Sequence, residues 1–205
     1  MDKNANVIFL KKYFKDKDFG FYIDVGCFHP IRFSNTMFLN SKGWKGMNID
    51  LSQKTIDLFN ISRPKDINLN FGVGSKEETL EYFYNKELYQ ANTLNKNFAE
   101  TMLKKEGLKK KKIEIKTLNY LIDKYEFNEK IDLIDIDAEG FDLEVLKGID
   151  FKKHKIDLIM IEVHNYDKKT KKEAKEIFEL LASKNFKLIE GFYPGNCIFK
   201  NILCN

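Results

Sequence analysis

At 205 residues the chain has the length of one domain, with enough core to fold without disulfides or a structural metal. Hydrophobic residues at 43% and aromatics at 14% exclude a disordered chain. The 35 basic and 31 acidic residues leave a net charge of only +4, which gives no reason to expect a nucleic-acid partner.

Taken in chain order, apolar runs alternate with helical patterns. A short amphipathic helix is expected over 7–14 and a strand over 19–25. Ser34 is expected to cap a helix through Asn35, Thr36, Met37, Phe38 and Leu39, stopped by Gly43, with Trp44 packed at the next strand's start. A strand at 45–50 ends in Asp50, a helix covers 52–60, and a third strand runs 67–73. Residues 79–84 read as a strand with the pattern of a hairpin arm, and 89–112 as polar and irregular, before a short strand at Ile113, Glu114 and Ile115. A helix over 117–125, a strand over 131–136 and a helix over 141–147 closed by Gly148 follow. A strand at 156–163 leads to a helix at 171–183 with Ala174, Ile177, Phe178 and Leu181 on one face. Strands at 186–191 and 197–202, joined by the turn Tyr193-Pro194-Gly195-Asn196, close the chain. Strand–helix alternation predicts a doubly wound parallel sheet, and the closing hairpin makes its last strand antiparallel.

Four strand ends carry the candidate chemistry. Ile23-Asp24-Val25-Gly26 ends the first strand with an acid and a glycine, at the edge where such sheets open their ligand crevice. Asp50 ends the second strand, where nucleoside-binding α/β folds set an acid against ribose hydroxyls. Asp135, Asp137 and Glu139 alternate at the end of the fourth strand, and period two puts them on one side while the strand lasts. Glu162 and His164 share a face at the end of the fifth. Asp137, Glu139 and His164 are therefore candidates either for a general base or for a divalent-metal site, with Mg²⁺ or Mn²⁺ favoured over Zn²⁺ by the oxygen-rich set. Asp132 is off this face and expected to be structural. His29-Pro30 reads as a stiffened loop. Lys104, Lys105 and Lys109 to Lys112 read as a solvated charge run, or as a contact for a phosphate-bearing substrate.

With these residues in view, the chain resembles the FkbM family of S-adenosylmethionine-dependent methyltransferases. The resemblance is carried by Ile23-Asp24-Val25-Gly26, Ser34-Asn35-Thr36, and Gly43-Trp44-Lys45-Gly46 leading into Asn48-Ile49-Asp50. Its most specific part is Ile136-Asp137-Ala138-Glu139-Gly140-Phe141-Asp142 with Val145-Leu146-Lys147-Gly148, followed by Ile161-Glu162-Val163-His164. It implies a Rossmann-like class I methyltransferase, an α/β fold with a seven-stranded mostly parallel sheet and an antiparallel last strand. It also implies Asp24 and Gly26 in the cofactor loop, Asp50 on the ribose, Asp137 and Glu139 facing cofactor and acceptor, and Ser34, Asn35 and Thr36 as further polar contacts. Where many methyltransferases continue with small residues, Cys27-Phe28-His29-Pro30 follows Gly26 here.

The expected activity is O-methylation of a hydroxyl on a small molecule or carbohydrate, with His164 or Asp137 as base. Two rivals keep the fold: a metal-dependent hydrolase using Asp135, Asp137, Glu139 and His164, and a non-catalytic cofactor-binding module. Cys27, Cys197 and Cys204 show no CxxC spacing, no apolar run approaches the roughly 18 residues of a membrane span, and the first residues lack a signal-peptide core. One cytoplasmic domain over 1–205 is the expectation.

Overall fold

The computed structural model describes residues 4–102, 107–127, 130–163, 172–192 and 195–204. Seven strands form the main sheet in the order β3 (Ile67–Asn70), β2 (Lys45–Asp50), β1 (Phe21–Val25), β7 (Ile131–Ile136), β8 (Ile156–Glu162), β10 (Asn196–Asn201) and β9 (Phe186–Phe192). The first five are parallel, and β10 runs antiparallel to both its neighbours. This is the seven-stranded, mostly parallel sheet expected above.

The central strands are apolar on both faces because helices cover both. On one face, Ile23, Val25, Ile134, Ile136, Ile159 and Ile161 pack against α5 (Leu118–Lys124), α6 (Asp142–Lys147) and α7 (Lys172–Ser183). The spacing of Ala174, Ile177 and Leu181 puts all three of α7's buried side chains on that face, and the two larger ones contribute about 1.5–3 kcal/mol each. On the other face, Tyr22, Leu133, Leu158, Met160 and Ile198 pack against α1 (Asn4–Tyr13), α2 (Met37–Ser41) and Trp44. Asp132 lies at the opposite end of the sheet from the crevice, where its carboxylate accepts from Phe21 N at 3.1 Å and pairs with Lys17. No helix among the described residues is long and apolar enough to cross a membrane.

Four local expectations are corrected. The run 67–73 is two strands: the Asn70 amide donates to the carbonyls of Asp50 and Leu51 at 3.0 and 2.9 Å, which ends pairing with β2. β4 (Gly72–Val73) then joins a second sheet with β6 (Lys109–Lys116) and β5 (Glu78–Tyr84). The lysine run 109–112 is therefore a strand, held by seven register pairs with β5, from Glu78↔Ile115 to Tyr84↔Lys109. The stretch 89–112 also contains α4 (Lys96–Met102), whose Phe98 N is capped by Asn95 Oδ1 at 3.1 Å. Finally, Ser34 does not cap α2, which starts at Met37 after Thr36 and has no side-chain cap. By contrast α3 (Gln53–Ser62) is capped by Ser52.

Candidate active site

The crevice lies at the carboxyl ends of β1, β2 and β7, and two loops of different character form it. The first follows β1. Gly26 turns the chain at φ +78, and a Cβ there would collide with the Asp137 backbone carbonyl. Gly26 N donates to Ile49 O at 2.9 Å, and Asp137 N donates to Val25 O at 3.0 Å, so the loops after β1 and β7 meet backbone to backbone. Asp24 and Asp137 are thus at the same end of the sheet.

Beneath this loop lies a buried polar network centred on Arg63, which α3 delivers from its C-terminal end. Its guanidinium donates to Thr36 Oγ1 at 2.9 Å, Ser34 Oγ at 2.8 Å, Tyr22 Oη at 3.1 Å and the Pro30 carbonyl, and it stacks on Phe59. Thr36 Oγ1 donates in turn to Asp24 at 2.6 Å, and Asn35 Nδ2 donates to Asp135 at 2.9 Å. Asp24, Asn35, Thr36 and Asp135 are all buried. In this arrangement Asp24, Ser34, Asn35 and Thr36 brace the loop from below rather than lining the crevice.

Asp50 also holds this loop. Its two carboxylate oxygens accept from Phe28 N at 3.0 Å and Ser52 N at 2.7 Å. Burial outweighs those bonds and raises its pKa to about 6. Phe28 and Phe33 both take left-handed φ, 51 and 58, which strains this loop as glycine would not. His29 Nδ1 accepts from both Ile31 N and Arg32 N at 3.1 Å, so the loop is stiffened by histidine as well as proline.

The second loop follows β7 and carries the acids. Asp142, the first residue of α6, accepts from Ala138 N at 2.9 Å and Gly140 N at 3.0 Å, and its burial raises its pKa to about 7. Glu139 is held at φ 51 between them. The expectation that Asp135 joins Asp137 and Glu139 is corrected: the alternation stops with β7 at Ile136, and Asp135 faces the buried network. Asp137, Glu139 and Glu162 are the residues that gather, each offering a carboxylate oxygen within 4.8 Å of the others. Three hard oxygen donors fit Mg²⁺ or Mn²⁺ in kind, but they make only half of an octahedral shell. His164, expected beside them, lies outside the described residues.

Between the loops runs a cleft lined by Gly26, Asp50, Leu51, Phe71, Gly72, Val73, Asp137 and Ala138 from the main fold and by Tyr89, Gln90, Asn92 and Leu94 from above. Its lining combines polar positions at Asp50 and Asp137 with apolar side chains at Leu51, Phe71, Val73 and Leu94. Its free volume is about 40 Å³, under the roughly 300–1,000 Å³ of small-molecule pockets. The Methyltransferase FkbM domain model matches residues 22–188, most of the chain. The chain belongs to the FkbM methyltransferase family. Among solved structures, a methyltransferase FkbM from Methylobacillus flagellatus KT is similar in fold, with TM-score 0.54 and 13% identity over 89% of this chain. The match covers 44% of that protein, so the chain spans under half its length. No curated protein matches.

Sequence reasoning missed several parts of this FkbM site. Arg63, Thr93 and Asn95 carry no motif signal for these roles, because Thr36 and the Glu139 and Gly140 carbonyls they reach are 27, 46 and 45 residues away. Asp142 had one: an acid two residues after a glycine turn is a common cap for backbone N–H groups.

Proposed function

We propose that the chain is an S-adenosylmethionine-dependent O-methyltransferase, with residues 1–205 acting as one domain, and that its acceptor is a hydroxyl of a small molecule or carbohydrate. The observation that carries this reading is the joining of the amphipathic cleft to the acid cluster through a single residue, Asp137. Gly26, Asp50 and Asp137 would meet the ribose and amino-acid parts of the cofactor, and Leu51, Phe71, Val73 and Leu94 its base. The apolar wall fits the group, and Gly26 permits the close approach of the Asp137 backbone that joins the two loops beside it. When bound, the sulfonium supplies the methyl group.

The chain's own residues have two tasks. The crevice loops align the acceptor oxygen and exclude water, since an in-line displacement depends on position above all. A base must then take the hydroxyl proton, and Asp137, Glu139 and His164 are the candidates, with Glu162 as their carboxylate neighbour. The alternative use of the same oxygens is to hold a divalent cation that lowers the acceptor's proton affinity.

Calorimetry with S-adenosylhomocysteine, followed by labelled methyl transfer to a panel of sugars and small alcohols, tests the reading. Glu139→Gln and His164→Ala are expected to cut kcat by about 10²–10⁴ for whichever is the base, with cofactor affinity retained. Chelator sensitivity that is reversed by Mg²⁺ would assign the acids to a metal instead. Failure of the purified chain to bind S-adenosylhomocysteine at millimolar concentration would end the proposal.

A further inference from the structure

The face of the sheet covered by α1 and α2 differs in charge from the rest of the molecule. Residues 4–15, which hold α1, and residues 25–49, which hold the loop after β1, α2 and most of β2, contain no Asp or Glu, although the chain has 31. They do contain Lys11, Lys12, Lys15, Arg32, Lys42 and Lys45. The two segments are joined in space. Lys11 Nζ lies 5.9 Å from the Phe38 ring centroid, Lys42 Nζ donates to the Phe14 carbonyl at 3.2 Å, and Phe14 and Trp44 meet edge to face at 4.9 Å. Elements of the opposite face balance their charges instead, with Lys147 on Glu144, Lys153 on Asp123 and Lys175 on Glu179.

The same acid-free face exposes apolar side chains. Ile8, Ile31, Phe33 and Met37 are 62, 61, 59 and 39% exposed. On α1, the exposed residues Ile8, Lys11 and Lys12 follow at spacings of three and four, which makes one outward stripe of the helix. The loop after β1 cannot fold its apolar residues away. His29 Nδ1 accepts from the N–H groups of Ile31 and Arg32, while Arg63 donates to the Pro30 carbonyl and to Ser34 Oγ. Isoleucine and phenylalanine are thus held in the open on a rigid base, among cations and without acids. Clustered exposure of this kind marks an interaction surface.

We propose that the α1–α2 face docks on an anionic lipid bilayer, with Ile8 and Ile31 entering the headgroup boundary and Lys11, Lys12 and Arg32 lying among the headgroups. Cations alone would fit any polyanion. The exposed isoleucines select a bilayer, which has an apolar layer to receive them, over a soluble polymer of phosphates. The loop leaves the cleft at Gly26, one of the lining residues, so a docked chain holds its cleft beside the lipid surface.

Sedimentation of the intact chain with phosphatidylcholine vesicles, with and without phosphatidylglycerol, tests this. It needs no cofactor, so its outcome is separate from the methyl-transfer reading. The chain is expected to pellet only with the phosphatidylglycerol vesicles, and less as salt rises. Lys11→Gln combined with Lys12→Gln should lower the partition coefficient about 10–30-fold, and Ile31→Asn about three- to tenfold. These side chains are exposed, so the variants should keep the wild-type urea midpoint. Soluble polyphosphate is the control, and Ile31→Asn should bind it as the wild type does. No pelleting at low salt overturns the proposal. Vesicle binding that is unchanged in Ile31→Asn also overturns it, and leaves a surface for polyanions only. A wild-type dimer in analytical ultracentrifugation that Ile31→Asn dissociates would assign the face to a second copy of the chain instead.

Discussion

The loop after β1 and the loop after β7 touch through Gly26 and Asp137, yet they are stabilised in opposite ways. The first stands on buried side chains: Arg63 reaches four partners, Thr36 reaches Asp24, and Asn35 reaches Asp135. The second is held mainly through its backbone, by Asp142, Thr93 and Asn95, while Asp137, Glu139 and Glu162 stay half-exposed. The contrast divides the labour. Buried hydrogen-bond networks rigidify the loop they hold, which on the proposed reading suits a cofactor bound the same way in every turnover. A loop held by its backbone keeps its carboxylates half-exposed at the crevice.

Arg63→Ala should have the largest effect. It strands Pro30 O, Ser34, Thr36 and Tyr22 in a dry environment, and a loss of about 3–5 kcal/mol is expected in urea unfolding. A loss under 1 kcal/mol would mean that water enters and the first loop is not the rigid partner. Gly26→Ala comes next, at roughly 3 kcal/mol, because left-handed strain adds to a clash with backbone that cannot give way. Its test is the urea midpoint together with S-adenosylhomocysteine affinity, and both should fall.

The pH dependence probes both loops at once. Asp50 and Asp142 have folded-state pKa values raised from 3.8 to about 6 and about 7. The native state therefore holds protons that the unfolded chain has released. Their stabilising contribution is fully present below about pH 4 and is lost as pH rises through 6 and 7, on the order of 4 kcal/mol between pH 5 and pH 8. Carboxyl-carbon NMR titration should find two aspartates titrating near neutrality, and a urea midpoint that rises from pH 5 to pH 8 would contradict the assignment. Thr93→Val is the mildest change. Losing the bond to the Glu139 carbonyl should lower stability by about 1 kcal/mol. Methyl transfer should fall further than cofactor affinity does, whereas equal losses would show that Thr93 serves the cleft and not the acid-bearing turn.

The main sheet was legible in the sequence because its strands announce themselves locally. Ile131–Ile136 and Lys45–Asp50 are bounded as the apolar runs are, and Gly43 and Gly148 end helices where glycine should. The small sheet was not legible. Lys109 to Lys112 have no strand pattern, and they are extended only because β5 supplies the partner hydrogen bonds and Glu81 meets Lys110 at 2.9 Å. The site divides in the same way. Asp24, Gly26, Asp50 and Asp137 could be placed at one end of the sheet because strand ends fix position along the sheet axis. Which way their side chains turn, and what else reaches them, was not readable.

By itself, then, the sequence determined the layered α/β architecture, the antiparallel last strand and which strand ends meet at one end of the sheet. All three follow from short-range periodicity and turn chemistry. The tertiary structure alone decided that Asp135 is braced by Asn35 while Glu162 joins Asp137 and Glu139, that Arg63 underlies the first loop, and that residues 85–95 cover the cleft. Each of these depends on contacts between segments distant in the chain, where burial and hydrogen-bond satisfaction rather than local pattern select the partner.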